Sequence, residues 1–484
     1  GFIFAFLPIS FFIYFYLNYK RLGILAKIWL VFASLFFYSW WNIAYLPLIL
    51  ISILFNYLIA SCIISSIKLN NKYFSKKILL QIGLVFNIGL LAYFKYADFF
   101  ISNTNSLINT DITLLYLTLP LAISFFTLQQ IAFLVDSYEG LAKEKNFLDY
   151  TIFVTFFPQL IAGPIVHHKE MMPQFRNIRN KLKNYNNIAM GLFIFSIGLF
   201  KKVVIADTFA IWATSGFDTA VSLNLLEAWF TSLSYTFQLY FDFSGYTDMA
   251  IGAALLFNIK LPVNFNSPYK ATGIIDFWKR WHITLSNFIT VYIYTPLIRS
   301  FDQLTFNKAM IATFVTFLIA GLWHGASWMF VIFGGLHGIA LVVNNYWKKT
   351  KIKINKVLAW FITFNFVNIT MVFFRANEFE DAIKVLKSMF SLDNIMLPNL
   401  LEGFMPFISN YGVEFGLFTQ NIEGRFFTFP FLVLGFILVL FFENSAKKLS
   451  SFKFNPTNSF IFIMAFSISF YKLSGYSEFL YFRF

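Results

Sequence analysis

Long apolar runs alternate with short polar stretches along almost the whole chain. The lengths of these runs approach or reach the roughly 20 residues that a helix needs to cross a bilayer. The runs cover residues 2–17, 24–40, 46–64, 78–101, 114–135, 188–205, 228–257, 310–330, 333–347, 357–373, 429–442 and 460–473. This pattern predicts an all-α polytopic membrane protein with roughly 11–13 membrane segments, some of them short or re-entrant.

The composition agrees with a bilayer environment and excludes a soluble domain. Hydrophobic residues make up 58% of the 484 residues and charged residues only 12%. The net charge of +14 does not indicate nucleic-acid binding, because Lys and Arg cluster in short loops beside apolar runs. Cys62 is the only cysteine, so the chain has no internal disulfide and no cysteine metal cluster.

The distribution of basic residues predicts the topology. Basic loops, expected in the cytoplasm, occur at 20–21, 68–77, 143–145, 176–183, 348–356 and 447–453, while 102–111 and 207–222 carry no Lys or Arg. Lys201 and Lys202 conflict with an external loop at 207–222 unless they snorkel from within the span. Counting membrane crossings from these basic loops predicts an extracytoplasmic insertion at 376–428 and an extracytoplasmic C-terminal tail at 474–484. Both belong to one integral-membrane domain of residues 1–484.

The insertion has two interpretations. It could dock a partner, or its residues 382–390 could form an amphipathic interfacial helix. The helical spacing of Ile383, Leu386, Met389 and Phe390 favours an apolar face made of these four side chains.

A histidine lies deep in the apolar run 310–330, in the sequence Gly-Leu-Trp-His-Gly-Ala at 321–326. An ionisable ring at membrane depth indicates a functional site, because it needs a partner, a cavity or a reaction. A hydrogen bond between helices is the alternative for His324. Asp242 and Asp248 lie in another apolar run. They could orient a histidine, line an aqueous path, or brace the bundle.

A polar cluster at 276–286 alternates charges with indoles. Lys279 and Arg280 are predicted to hold a phosphorylated ligand at the cytoplasmic surface, with Trp278 and Trp281 stacking or anchoring at the membrane interface. The alternative is an aromatic belt with snorkelling cations. His282 precedes His324 by 324 − 282 = 42 positions, which lets the chain turn and place both rings in one cavity.

Four motifs together resemble the membrane-bound O-acyltransferase family, in its bacterial branch that acetylates alginate and peptidoglycan. They are Phe-Pro-Gln-Leu-Ile-Ala-Gly-Pro at 157–164, Tyr-Phe-Asp-Phe-Ser-Gly-Tyr-Thr-Asp-Met-Ala at 240–250, Phe-Trp-Lys-Arg-Trp-His-Ile-Thr-Leu-Ser at 277–286 and Gly-Leu-Trp-His-Gly-Ala at 321–326. The stretch Leu-Phe-Phe-Tyr-Ser-Trp-Trp at 35–41 adds to the match. The first motif is broken by Pro and Gly, which predicts a re-entrant turn.

The resemblance implies a many-helix fold around a central funnel, in which His324 is the catalytic histidine and His282 the second family histidine. It further implies acetyl-CoA as acyl donor, no metal, an extracytoplasmic SGNH-type acetyltransferase as partner, and a multi-pass location in a bacterial inner membrane. In such a reaction His324 would be the general base, and His282 or the Trp323 indole could donate to the oxyanion. The expected product is O-acetylated peptidoglycan.

The C-terminal tail ends in aromatic residues and is similar to Phe- and Tyr-rich C-terminal motifs of this branch and its D-alanylation partners, in which a tyrosine has been proposed to carry the acyl group. The resemblance makes Tyr481 the candidate acyl acceptor. An interfacial aromatic anchor is the alternative for this tail. Two other functions stay open at this stage. One is O-acetylation of alginate or another exopolysaccharide, and the other is transport or flipping of an acylated lipid or glycan, although no internal repeat is visible.

Overall fold

The computed structural model describes residues 1–69, 75–144, 146–473 and 479–480. Its first part contains α1 (Leu7–Tyr19), α2 (Gly23–Ser39), α3 (Leu46–Leu69), α4 (Lys76–Leu91), α5 (Ala97–Ile108), α6 (Ile123–Tyr138), α7 (Phe147–Thr155), α8 (Phe157–Leu160) and α9 (His168–Arg176). The middle contains α10 (Tyr185–Phe200), α11 (Asp207–Thr214), α12 (Leu225–Leu256), α13 (Ile274–Trp278), α14 (Ile283–Ile289) and α15 (Thr295–Arg299). The last part contains α16 (Phe306–His324), α17 (Trp328–Thr350), α18 (Lys356–Arg375), α19 (Phe379–Phe390), α20 (Thr428–Phe441), α21 (Ser445–Ser450) and α22 (Pro456–Lys472).

The predicted polytopic helical class is confirmed. Within the described ranges, seven stretches are long and apolar enough to cross a membrane: Phe2–Tyr19, Ile43–Ile67, Lys76–Ile108, Tyr185–Thr219, Phe306–His324, Trp328–Thr350 and Lys356–Arg375. Gly23–Ser39 and Thr428–Phe441 are shorter apolar helices. The predicted run 114–135 is helical only from Ile123 onward. The chain before it is not helical, and Pro120 at its end has no N–H for a helical hydrogen bond.

Two of the long stretches continue through a wider π-helical turn. Ala92–Tyr96 joins α4 to α5, and Lys201–Ala206 joins α10 to α11. Such turns add a residue to one helical turn and often occur at functional sites. Both turns in this protein carry lysines that point into the helix bundle.

The 32-residue helix α12 is the central element of the bundle. Its length corresponds to roughly 48 Å at 1.5 Å per residue, and almost all of its side chains are buried. Helices α10, α11, α18 and α19 pack around it. A capping box at its start, formed by Asn224 and Glu227, satisfies the first free N–H groups.

Glycines set the close contact between α10 and α12. A Cβ on Gly198 would lie 2.5 Å from the Gly245 carbonyl oxygen, and one on Gly191 would lie 2.7 Å from that of Gly252. Gly191 and Gly198 lie seven residues apart on α10, as do Gly245 and Gly252 on α12. The close contact therefore repeats every two turns. Small residues allow the backbones to approach, as is typical of helix pairs in membranes.

The two acids predicted on α12 pair with the two lysines that disagreed with the predicted topology. Lys201 Nζ lies 2.7 Å from Asp248, and Lys202 Nζ lies 2.7 Å from Asp242 and 2.9 Å from Asp207. Ser445 also donates to Asp248, at 2.7 Å. The structure therefore supports a bracing role for Asp248, and both lysines are bound inside the protein rather than snorkelling out of it.

An ionic cluster fixes the loop after α6 and the start of α7. Glu144 binds Arg176 and lies 3.3 Å from His168, and Asp149 binds Lys27 on α2. Burial raises the pKa of Glu144, but the bonds from His168 and the Asn146 amide, together with the Arg176 charge, outweigh it and lower the pKa to about 2. These contacts join the loop before α7 and the start of α7 to α2 and α9.

The insertion at 376–428 contains α19 and a short parallel pair, β1 (Ile395–Pro398) and β2 (Val413–Gly416), with Ile395 opposite Val413. Helix α19 is amphipathic, and of the four predicted apolar positions only Met389 is fully buried against the protein. The structure buries Ala382, Val385 and Met389 against α12 and α18, whereas Ile383 is 42% and Phe390 63% exposed. The side of α19 that packs against the bundle is therefore the one that carries Ala382, Val385 and Met389.

Candidate functional site

His324 is the last residue of α16, and close packing of α16 against α17 determines its position. A Cβ on Gly321 would lie 2.3 Å from the Phe330 carbonyl oxygen, and one on Gly334 would lie 2.5 Å from that of Phe317. The helices can therefore approach only because both positions are glycine. A Cβ on Gly325 would lie 2.1 Å from the Phe330 ring, so the turn after His324 is equally tight.

The His324 ring is 4% exposed and is surrounded by aromatic side chains. Its centroid lies 5.0 Å from that of Trp323, 5.1 Å from Phe374 and 6.3 Å from Phe333. An imidazole in such surroundings is largely shielded from bulk solvent. A reacting group that reached it would meet few competing water molecules.

The backbone of this helix end is held by residues that the sequence analysis did not single out. Lys95 Nζ donates to the carbonyl oxygens of Trp323 at 2.6 Å and His324 at 3.0 Å, and the Tyr96 hydroxyl donates to the Leu322 carbonyl oxygen at 2.6 Å. The available signal was Lys95 itself, an isolated cation in the apolar run 78–101.

His282 is fully buried between α13 and α14, in the left-handed backbone region with φ of 44°. Its Nδ1 lies 3.1 Å from Asn264 Oδ1, which also accepts bonds from the Thr284 N–H at 3.2 Å and its hydroxyl at 2.9 Å. Because that oxygen can only accept, Nδ1 carries the proton and Nε2 of a neutral ring is an acceptor. The ring packs edge-on against Phe243, with centroids 4.8 Å apart.

Trp323 links the two predicted catalytic histidines. Its ring centroid lies 6.4 Å from that of His282 and 5.0 Å from that of His324. Its buried Nε1 has no hydrogen-bond partner among the described residues. We call His282, Trp323 and His324 the His–Trp–His site. The structure thus brings both histidines, separated by 42 positions, onto one indole.

A pocket of about 440 Å³ opens between α13, α14, α16 and α17. Its polar lining consists of Lys279, Ser286, Asn287, Thr290, Tyr294, Thr313, Thr316 and Asn345. The Thr316 hydroxyl is buried and has no hydrogen-bond partner within the described chain. Thr316 precedes His324 by eight residues, roughly 12 Å along the helix, so the pocket lies about two turns from the His–Trp–His site.

The four residues predicted to bind an anionic ligand have different environments. Lys279 is exposed and lines the pocket. Arg280 is bound to Asp276, at 2.9 Å, and donates to the Asn266 carbonyl oxygen. Only Lys279 therefore presents a cation to the pocket without an ion pair among the described residues.

Both tryptophans of this group are buried, so the predicted anchoring at a membrane interface was wrong. Trp278 lines the pocket wall, and its indole N–H donates to His337 Nδ1 at 3.2 Å. His337 Nε2 in turn contacts the Thr370 hydroxyl at 3.0 Å. Trp281 is stacked on Phe277, with centroids 5.7 Å apart, and does not line the pocket. Both indoles pack against other aromatic rings of the protein core, which covers most of their surface.

Phe479 and Leu480, the two described residues after position 473, lie next to the ion pair of Lys202 and Asp242. The Leu480 N–H donates to Asp242 Oδ2 at 3.2 Å, and Leu480 is 8% exposed. The Phe479 ring lies 4.9 Å from that of Tyr246 and 5.0 Å from Lys202 Nζ. Tyr481, the predicted acyl carrier, lies outside the described residues.

Comparison with known proteins identifies the family. The family model for membrane-bound O-acyltransferases matches residues 11–377, which include the His–Trp–His site and the pocket. The chain belongs to the membrane-bound O-acyltransferase family. It is therefore a multi-pass membrane enzyme that transfers acyl groups to hydroxyl groups, as the resemblance in its motifs predicted.

Several relatives of this membrane-bound O-acyltransferase have curated names. A peptidoglycan O-acetyltransferase of Helicobacter pylori is 48% identical, over 100% of this chain and 96% of the relative. A "Probable alginate O-acetylase AlgI" of Pseudomonas putida is 33% identical, over 100% of this chain and 99% of the relative. A teichoic acid D-alanyltransferase of Streptococcus thermophilus is 27% identical, over 52% of this chain and 68% of the relative.

Proposed function

We propose that this enzyme takes acetyl groups from acetyl-CoA on the cytoplasmic side of a bacterial inner membrane and passes them outward for O-acetylation of an envelope polysaccharide. Peptidoglycan is the favoured acceptor, because the peptidoglycan enzyme is 48% identical over the full chain and the alginate enzyme 33%. The observation that carries the proposal is the His–Trp–His site, a buried pair of histidines on one indole at the end of α16.

The proposed chemistry is acyl transfer with His324 as general base. The neutral imidazole removes the proton of the acceptor hydroxyl while its oxygen attacks the thioester carbonyl. The tetrahedral intermediate then collapses, the carbon–sulfur bond breaks, and the imidazolium returns the proton to the CoA thiolate. The Trp323 indole N–H, which has no partner among the described residues, is the favoured oxyanion donor. His282 Nε2 would have to be protonated to donate.

The donor is proposed to bind in the pocket beside α13. Lys279 would contact its phosphates, Trp278 would form part of the wall, and the polar lining along α16 would face the pantetheine arm. Arg280 would join this interaction only by leaving Asp276. Trp281 would support Trp278 and Phe277 from the core rather than touch the donor.

The tail is proposed to carry the acetyl group through Tyr481, as the transient acceptor whose ester is then handed outward. The support is that Phe479 and Leu480, the nearest preceding residues, are held inside the protein at Asp242 and Tyr246. Asp242 is followed on α12 by Phe243, which packs against His282. Leu480 and His282 therefore contact neighbouring residues of α12, Asp242 and Phe243.

The final acceptor is proposed to be an SGNH-type acetyltransferase outside the membrane, with the insertion at 376–428 as its contact surface. The insertion carries several strongly exposed aromatic side chains. Phe404 is 77%, Tyr411 80% and Phe426 92% exposed. Aromatic residues are enriched in protein interfaces, which favours this surface over the polar loops.

The test uses purified protein in detergent with radiolabelled acetyl-CoA. We expect the native enzyme to release CoA and to retain label, and His324→Ala to lower both rates by about 10²- to 10⁴-fold. In Tyr481→Phe water replaces the tyrosine as acceptor, so CoA and free acetate should still be released while the retained label is lost. Tyr471→Phe is the matched control, because Tyr471 is 83% exposed near the same end of the chain. Equal activity of His324→Ala and native enzyme would contradict the proposal.

A further inference from the structure

Lys95 is a partly buried lysine whose contacts differ from those of Lys201 and Lys202 elsewhere in the bundle. Lys201 and Lys202 each contact carboxylates on α12 or α11. Lys95 makes no ion pair with any described carboxylate, although it lies within the membrane-spanning stretch Lys76–Ile108. A charge at this depth without a counter-ion is costly, and such residues usually have a functional reason.

The contacts of Lys95 are concentrated on one turn of one helix. Its ammonium group has three N–H donors, and three acceptors are present: the carbonyl oxygens of Trp323 and His324, and Ser124 Oγ at 3.3 Å. Tyr96 adds a bond to the carbonyl of Leu322. Three successive carbonyls, 322 to 324, are thus bound by two neighbouring side chains.

These carbonyls are the ones that a helix cannot satisfy by itself. The last four C=O groups of any α-helix have no partner within the helix, and α16 ends at His324 in the protein interior. A cation at a helix C-terminus also interacts favourably with the helix dipole. The π-helical turn Ala92–Tyr96 places the two donors side by side.

The same ammonium group also contacts the indole of the site. Lys95 Nζ lies 5.8 Å from the centroid of the Trp323 ring, within the range of a cation–π interaction. It therefore contacts both the backbone and the side chain of the turn that carries Trp323 and His324. No other lysine within the described ranges has contacts of this kind with the turn.

We propose that Lys95, assisted by Tyr96, is a positioning residue for acyl transfer: it fixes the C-terminal turn of α16 so that the Trp323 indole and the His324 imidazole keep their reactive arrangement. This inference rests on the proposed function of His324. Lys95 itself is not assigned contact with substrate. Its contribution should therefore be to turnover and not to donor binding.

The test compares Lys95→Met with Lys308→Met in steady-state hydrolysis of acetyl-CoA by the full chain. Lys308 lies at the other end of α16 and also donates to a carbonyl, that of Gln303 at 3.0 Å. We expect Lys95→Met to lower kcat by about 10²-fold, the cost of a misplacement near 1 Å, with an unchanged KM. Lys95→Arg, which keeps the charge, should restore part of kcat, and Lys308→Met should resemble the native enzyme.

Unchanged kcat in Lys95→Met, or an equal loss in Lys308→Met, would overturn the proposal. If Lys95→Met does not fold, Lys95→Arg and Tyr96→Phe decide: a lower kcat at constant KM in a folded variant supports positioning, and native kcat in both rejects it. Failure of the proposed function has a different signature, because His324→Ala would then hydrolyse acetyl-CoA like the native enzyme.

Discussion

Two polar clusters of this protein are equally buried from solvent but differ in how completely their polar atoms are hydrogen-bonded. The first lies between α3, α4, α6 and α7. Asn56 and Asn87 exchange amide hydrogen bonds of 3.2 and 2.6 Å, Gln130 donates to Ser52 at 2.9 Å, and the Tyr150 hydroxyl donates to Gln130 at 3.1 Å. Each of these side chains has a protein partner on another helix.

The second cluster is the His–Trp–His site with its supporting Asn264. Its polar atoms are as deeply buried, with His282 at 0% and His324 at 4% exposure. Trp323 Nε1 and Asn264 Nδ2, however, have no hydrogen-bond partner in the described chain. Leaving buried donors unmatched costs about 1–3 kcal/mol each.

The difference separates bracing from function. A satisfied cluster such as the first contributes to stability and specifies which helices pack together. A cluster with unmatched donors is less stable than it could be, and proteins tolerate that cost mainly at sites that bind something. Mutations in the two clusters should therefore have opposite signatures, loss of stability in one and loss of turnover in the other.

Among changes that keep both histidines, the largest effect is expected for Trp323→Phe, which removes the unmatched N–H and keeps an aromatic ring. If that N–H donates to the oxyanion, kcat should fall by about 10²- to 10³-fold. The thermal midpoint should stay near that of the native protein, because the removed N–H has no hydrogen-bond partner among the described residues. Acetyl-CoA hydrolysis and thermal unfolding in detergent measure the two quantities. A kcat within threefold of native would remove Trp323 from the mechanism.

A moderate and opposite effect is expected for Asn87→Leu in the bracing cluster. It removes both bonds of the amide pair and leaves Asn56 without that partner, which should cost about 1–2 kcal/mol of unfolding free energy. The kcat of the folded fraction should not change. Unfolding followed in lipid or detergent, with activity corrected for the folded fraction, measures both. A loss of kcat without a loss of stability would contradict a purely structural role for the Asn56–Asn87 cluster.

The smallest effect is expected at the pocket beside the site. Lys279→Gln should raise the KM for acetyl-CoA a few-fold at low salt and less at high salt, because an exposed cation is screened. Arg280→Gln is the comparison, and its effect should be smaller because Arg280 already binds Asp276. Initial rates at two ionic strengths measure this. Equal, salt-independent effects would place the CoA phosphates elsewhere.

Hydropathy and motif spacing sufficed for the broad architecture and for the central histidine. The cost of burying polar groups in a bilayer applies segment by segment, so the helical membrane class follows from local composition. The same cost makes an imidazole at position 324 conspicuous. Glycines at 321 and 325 could be recognised as part of a motif, but their reason, contact with Phe330, lies on the next helix.

The tertiary structure alone decided which polar groups meet. Lys201 and Lys202 look misplaced in the sequence because Asp248 and Asp242, their partners on α12, lie 47 and 40 positions later. The buried face of α19 likewise depends on which side α12 and α18 cover. Lys95 reaches the carbonyl oxygens of Trp323 and His324 only because the turn Ala92–Tyr96 and the end of α16, more than 200 positions apart in the chain, lie side by side. Hydrogen bonds act over a few ångströms in space and leave no periodic trace along the chain. The sequence by itself therefore determined the membrane class and the central histidine, and the folded structure determined how that histidine is held.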